Sequence, residues 1–420
     1  MTLSPLTDAS NELTGNKPWI MLGWLLFAQI LVAFVGRSLS PLGVFIGDSL
    51  ALTNAQIGML PAALFFGQFA AAIPAGIYVD RIGTRPLLLA LSLCLGISLF
   101  LASMTTNFTM LLLLIIIGGF GYGAMHPTSN RGIIYWFGHK SRGTAMGIKQ
   151  MGVTAGSGLA ALLLVPLAGW YGWRPVVMLA ALLLIGAGLL SFWRYRDTKE
   201  ATLIRGTPQE KGETFKRLKA MGRNRPLLLM SGGAMGINGA QMCLNTYMII
   251  YAIQIIGLPI YQAGLLLVVS EIAGSLGRVG WGTVSDRLFH GNRLIILSII
   301  AVVSAVCSVI MAGFSPGASF LSMAVLAFFF GSCVSGFNGL WMNAATELVP
   351  AKEAGLASGF SISVGSWGVI IGPPLFGLIT DVTGAFTAGW YSLAGLLGLI
   401  GCLFIYLHIS TRKDETYARP

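Results

Sequence analysis

The sequence predicts an all-α membrane protein: twelve transmembrane helices in two pseudo-symmetric groups of six. Three observations lead there. Only 10% of the 420 residues are charged while 55% are hydrophobic, and the mean hydropathy is +0.78. Soluble domains carry about 25% charged residues, so a chain this poor in charge must turn apolar surface toward lipid. Twelve apolar runs, each near the roughly 20 residues a bilayer requires, are interrupted by one long polar segment, Arg194 to Arg225. Finally, the charged turn Gly76-Ile77-Tyr78-Val79-Asp80-Arg81-Ile82-Gly83-Thr84-Arg85 returns in weaker form as Gly282-Thr283-Val284-Ser285-Asp286-Arg287, followed by Asn292-Arg293. A turn repeated at equivalent places in two apolar halves indicates a duplication.

Residues 1–17 form a polar tail with Asp8 and Glu12. They lack the basic start and short apolar core of a cleavable signal, so the first span is expected to be retained. The first bundle, 18–193, holds spans at 18–46, 54–79, 86–104, 107–137, 142–169 and 173–193. The central loop, 194–225, includes Thr214–Met221, where a short surface helix would put Phe215 and Leu218 on one side and Lys216, Arg217 and Lys219 near headgroups. The second bundle, 226–409, holds spans at 226–256, 259–285, 293–313, 317–346, 354–380 and 386–409, and 410–420 form a tail.

Orientation follows from the basic residues. With the N-terminus inside, inner loops and tails hold Lys17, Arg81, Arg85, Lys140, Arg142, ten basic residues of the central segment, Arg287, Arg293, Lys352, Arg412, Lys413 and Arg419, whereas the outer loops hold only Arg174. Both termini are therefore expected in the cytoplasm, with the chain in the cytoplasmic (inner) membrane. The net charge of +11 then faces the anionic inner leaflet, and nucleic acid is not an expected partner. The five cysteines lie in apolar runs without paired spacing and read as packing residues. Spans five (Gly143, Gly147, Gly152, Gly156, Gly158) and eleven (Gly355, Gly359, Gly365, Gly368, Gly372) are glycine-striped, as helices that approach neighbours closely should be. Pro61, Pro74, Pro166 and Pro373 imply kinks within the membrane.

An ionisable residue within a span costs several kcal/mol unless paired or hydrated, roughly 3 kcal/mol at the midplane. Arg37 lies 11 residues before Asp48, about 16 Å along a regular helix, and reads either as a cavity cation that binds a carboxylate in bidentate fashion or as a structural cation. Arg278, about 12 Å from the cytoplasmic Asp286, would be its counterpart in the second half, one arginine per half facing a central cavity. Its structural alternative is a pairing with Glu271, seven residues away. Glu271 is the one carboxylate deep in any span and can take up a proton near neutral pH, or else serves as a permanent counter-ion. His126 is a second proton candidate, or a partner for a carbonyl freed beside Pro127. Arg131 and Lys149 lie nearer the cytoplasmic ends of spans four and five and read as snorkelling side chains. Gln150, Gln241, Asn245, Asn338, Trp341 and Asn343 could line the cavity or bond helix to helix.

Other chemistries find no support. Gly119-x-Gly121-x-Gly123 lies mid-helix with no preceding strand, and no phosphate-binding Gly-x-x-x-x-Gly-Lys-Ser/Thr loop occurs. The four histidines are scattered. No metal, cofactor or enzymatic activity is expected.

The pattern Gly76-x-x-x-Asp80-Arg81-x-Gly83-x-Arg85 resembles the signature loop of the major facilitator superfamily, with Tyr78 and Thr84 where leucine and a basic residue are more usual. The resemblance extends to the twelve spans, the basic central loop and the second-half copy. It implies the major facilitator fold, each bundle built from two inverted three-helix repeats. The run from Gly118 to Pro127, Trp136-Phe137, Arg142 to Gly147, and the Arg37 region are similar to organic-anion transporters, and Gly277-Arg278 before Asp286-Arg287 resembles monocarboxylate and oxalate/formate carriers. Span eleven departs from the oxalate pattern, with no lysine or arginine between Gly355 and Asp381. The resemblance also implies gating roles for Gly76, Asp80, Arg81, Gly83, Arg85, Asp286, Arg287 and Arg293. Asp80 would brace the cytoplasmic gate against the start of span eleven, and Asp286 would do the same against span five near Arg142.

The resulting expectation is a monomeric secondary transporter that moves a small organic anion by alternating access, coupled to protons. Arg37, Arg278, Asn245, Asn338 and Trp341 would contact substrate, and Glu271 or His126 would carry the proton. A proton-driven drug or metabolite exporter of the same fold is the alternative, and a non-transporting membrane sensor or scaffold a third.

Overall fold

A computed structural model describes residues 16–198, 221–350 and 353–417. The expected surface helix at Thr214–Met221 lies outside the described residues except for Met221. Among the described residues, twelve helices are long and apolar enough to cross a membrane. The chain divides into two compact units: Met1–Phe45 with Ala63–Pro208, and Ile46–Ala62 with Gln209–Pro420.

The elements are α1 (Lys17–Gly36), α2 (Gly43–Leu50), α3 (Asn54–Ile82), α4 (Thr84–Met104), α5 (Phe108–Trp136), α6 (His139–Leu159), α7 (Val165–Tyr171), α8 (Trp173–Arg194), α9 (Arg225–Tyr251), α10 (Ile260–Leu288), α11 (Arg293–Ala312), α12 (Phe320–Val334), α13 (Asn338–Glu347), α14 (Ala354–Thr383) and α15 (Phe386–Tyr417). Side-chain caps start several of them. Asn107 accepts from Met110 N at 3.0 Å, Asn224 from Leu227 N at 3.1 Å, and Asn292 from Ile295 N at 3.4 Å, each satisfying a donor that the first turn leaves over. Between α3 and α4 the chain reverses at Gly83, whose φ of +94° suits a residue without Cβ.

Packing repeats between the halves. In the first unit α1 packs on α6, and α4 on both α5 and α8; in the second, α9 packs on α14, and α11 on both α12 and α15. Counted by span, contacts 1–5, 3–4 and 3–6 recur as 7–11, 9–10 and 9–12, as a duplicated architecture requires. Glycines set the closest approaches: a Cβ on Gly67 would lie 2.9 Å from Gly119 Cα in span four, and one on Gly277 would lie 3.0 Å from Ser332 C in span ten.

Four spans depart from the regular helices expected, among them span seven, which ends in a π-turn at Ala252–Ile256. Span one ends at Gly36, tightens into a single turn at Arg37–Leu39, and resumes as α2. Two causes coincide: Pro41 cannot donate to a continuing helix, and Gly36 lies so close under the Tyr122 ring that an added Cβ would come within 2.5 Å. Arg37 thus sits at a break, and the 16 Å reach to Asp48 along one helix does not apply. Span five widens to a π-turn at Ala160–Leu164 directly before Pro166, whose missing N–H frees a carbonyl. Span ten breaks at Ser335–Phe337, between α12 and α13.

Residues 46–62 group with the second compact unit. Asp381, near the end of α14, accepts from Asn54 N at 2.9 Å, Asn54 Nδ2 at 2.9 Å and Ala55 N at 2.8 Å. A carboxylate here satisfies free donors at the α3 N-terminus and complements its dipole. Tyr247 OH lies within hydrogen-bond reach of Asn54 O (2.8 Å) and Pro373 O (2.7 Å), which share its single proton.

Candidate substrate site

Three polar side chains of the first unit share one face of α5. Tyr122, His126 and Asn130 are four residues apart, so they climb the helix one above another. Tyr122 OH accepts from Arg37 Nε at 3.3 Å, and the edge of the Tyr122 ring meets Phe65 with centroids 5.8 Å apart. From α6, Lys149 Nζ reaches His126 Nδ1 at 3.4 Å and donates to Asn130 Oδ1 at 3.1 Å. For an ammonium to donate to Nδ1, that nitrogen must carry a lone pair, which makes His126 the neutral Nε2–H tautomer. An imidazole in this role accepts a hydrogen bond, whereas a proton carrier must add a charge beside Lys149.

Lys149 is the feature that sequence reasoning missed. Its place in span five suggests snorkelling, yet it is 2% exposed and lies ten residues into α6, about 15 Å from its start. The signal was present in the i, i+4, i+8 alignment of Tyr122, His126 and Asn130, a polar stripe that needs partners from a neighbouring helix. Arg131 lies one position outside this stripe. It donates to Val79 O and covers the Tyr135 ring, which holds α3 to α5 near their C-terminal ends.

In the second unit Glu271 is buried, and Asn245 Nδ2 donates to its Oε1 at 3.3 Å. The other polar candidates gather at the break in span ten. Ser335 O accepts from Arg278 Nε and from Asn338 Nδ2, both at 3.3 Å. Ser335 Oγ accepts from Gln241 Nε2 at 2.9 Å, and Trp281 Nε1 donates to Ser332 O at 2.9 Å. The donors from Arg278, Asn338 and Trp281 satisfy carbonyls that a continuous helix would have used internally. Trp341 stacks on Phe337 and donates to Ser361 Oγ at 2.8 Å. Gln150 and Asn343 are exposed.

The charged turns lie at the ends of helices. Arg85 donates to Phe192 O at 2.6 Å and stands over the Phe192 ring at 4.3 Å, while both carboxylate oxygens of Asp197 cap α4 through Thr84 N and Arg85 N at 3.2 Å. Arg81 and Arg287 are exposed, and no heavy atom lies within 4 Å of the Cβ that Gly76 lacks. The Asp80 side chain lies outside the described residues. Arg293 joins Asp286 (3.4 Å) to Glu347 (2.6 Å), tying the end of α10 to the start of α11 and the end of α13.

One cavity of about 750 Å³ opens between α11 and α12, lined by apolar residues including Val306, Ile310, Leu321 and Phe329. Leu321 is 70% exposed, so this is a groove open on the outside of the second unit. Among the described residues no group of His, Cys, Asp and Glu side chains could hold a metal ion.

The sequence model of the Major Facilitator Superfamily matches residues 25–338 and 291–419. Similar proteins include the membrane sensor protein UhpC of Salmonella typhimurium, 26% identical over 80% of this chain and 79% of its own length. The hexuronate transporter of Bacillus subtilis is 23% identical over 90% of this chain and 92% of its own. The probable galactarate/D-glucarate transporter GudP of the same organism is 24% identical over 93% of each. Among solved structures, the nucleoside transporter NupG superposes with a TM-score of 0.75 at 16% identity, over 92% of this chain and 98% of its own.

Proposed function

Because the chain belongs to the Major Facilitator Superfamily, we propose that it is a secondary transporter that moves a small organic carboxylate by alternating access, in symport with protons. It would work as a monomer in the cytoplasmic (inner) membrane with both termini inside, in keeping with the one-sided distribution of lysine and arginine. The observation that carries this reading is the α5 cluster, where Arg37 and Lys149 bring two cations to a face of hydrogen-bonding side chains deep in the span. Such a face favours an anion, and relatives named for hexuronate and for galactarate/D-glucarate agree with it. Arg37 would bind carboxylate. Glu271, buried and accepting from Asn245, would carry the proton. Arg278, Asn338 and Trp341 would act indirectly, by fixing the broken shape of span ten.

Uptake of labelled galacturonate into proteoliposomes, with and without an inward proton gradient, tests the proposal. Accumulation above equilibrium is expected only with the gradient, and Glu271→Gln should abolish the response to the gradient while leaving counterflow exchange. If Arg37→Gln transports galacturonate at the wild-type rate, the anion role is wrong. A second reading is supported by similarity to a membrane sensor protein: the chain would bind an organic acid and signal without moving it. Binding in detergent with no uptake in vesicles would favour that reading.

A further inference from the structure

Lys149 is held in a way that a packing residue does not need. Its ammonium is buried, and its two acceptors, His126 Nδ1 and Asn130 Oδ1, are both neutral. No third acceptor lies within reach among the described residues, so one N–H is uncommitted. Between Asp48 and Asp197 the sequence contains a single carboxylate, Asp80, which stands at the inner end of α3. Burying an ammonium against neutral partners alone is costly, and a ligand's anionic group would offset that cost.

The spacing along α5 indicates what kind of ligand. Arg37 is anchored at the first rung, Tyr122, and Lys149 between the second and third, His126 and Asn130. At 1.5 Å per residue, the two anchor points are about 9 Å apart along the helix axis. The two cations are thus anchored at different rungs, where a ligand with two anionic groups can engage both at once. An open chain of six carbons, with C–C bonds of about 1.5 Å, places the outer oxygens of its two terminal carboxylates about 8 Å apart when extended.

We infer that Lys149 is a specificity-determining residue that binds a second anionic group, so that the preferred substrate is an open-chain dicarboxylate of about six carbons, with Arg37 at one end and Lys149 at the other. This rests on the organic-acid reading above. The relatives include carriers named for a monoacid and for a diacid, and Lys149 selects the diacid. His126 and Asn130 are positioning residues, which direct the ammonium along the stripe.

Three probes of one carbon skeleton test the inference: galactarate, galactonate and galactitol carry two, one and no carboxylates. Equilibrium binding to the purified full-length protein in detergent should rank them in that order. Lys149→Gln should weaken galactarate by about 10- to 100-fold, the size of one charge-assisted contact, while galactonate changes by less than about threefold. Lys149→Arg keeps the charge and should retain the preference for the diacid. If the wild type binds galactonate as tightly as galactarate, or if Lys149→Gln weakens both equally or neither, the inference is overturned without affecting the organic-acid reading. If the wild type binds neither acid, that reading falls and the inference with it.

Discussion

A guanidinium placed in a membrane span must spend its donors on something, and the two arginines that stand in corresponding roles in the sequence are placed differently. Arg278 binds the Ser335 carbonyl where span ten breaks, together with Asn338. Arg37 stands at the break in span one and donates to a phenol hydroxyl that can equally well donate onward to a ligand. Arg278→Gln is therefore expected to lower the melting temperature of the detergent-purified protein, through loss of a charge-assisted bond to a buried carbonyl worth about 2 kcal/mol. Arg37→Gln should leave melting nearly unchanged while weakening carboxylate binding about tenfold or more. Paired melting and binding curves check both, and a reversed pattern would exchange the two assignments. Arg37, Glu271 and His126 were legible as candidates because ionisable residues are rare in apolar runs. The role of Arg278 was not, since the break at Ser335–Phe337 carries no proline and no charge, and its carbonyls become visible only once the helix is seen to stop. Lys149 escapes sequence reasoning for a related reason: depth in the membrane depends on where α6 begins, and the sequence places that start only to within a turn.

At the scale of the helix, glycine does two jobs that composition cannot separate. In span five, a Cβ on Gly156 would come 2.7 Å from Ala33 Cβ, and one on Gly152 would come 3.0 Å from Gln29, whereas Gly143, Gly147 and Gly158 have no neighbour within 4 Å. In span eleven, Gly365 lies under Trp341 and Gly372 against Gly239, whereas Gly359 is open. The stripes announce close packing, but which glycine faces the neighbour is an azimuth that only the folded helix supplies. The difference is measurable. Gly372→Leu should destabilise by about 1–3 kcal/mol through overpacking against α9. Gly147→Ala should be neutral or slightly stabilising, because alanine is the better helix former by about 1 kcal/mol at most. Thermal melts of the two variants in the same detergent decide it: equal losses would mean that both glycines serve packing.

Considered whole, the molecule repeats its span contacts between halves, yet its two compact units do not follow the midpoint of the chain. Duplication and span number were readable from hydropathy and the charged turns, because lipid imposes helix length and sidedness on the sequence. The contact between Asn54 and Asp381 was not, because it joins residues 327 positions apart. Along α3, Asn54–Ala62 group with one unit and Ala63–Ile82 with the other. The start of α3 is held by several attachments, and the weakest of them yields first. Around Tyr247 the attachment is stiff: Gly58 and Gly377 leave no room for side chains, and the phenol bonds two carbonyls. The exposed Asp381 cap is the part that can let go, at a cost of about 1 kcal/mol typical of a helix cap. Asp381→Ala is expected to speed hydrogen exchange at the Asn54 and Ala55 amides and leave the amides of α5 unchanged. If the helix serves as a fuse of this kind, the same substitution will also alter the rate of turnover while leaving affinity for substrate intact.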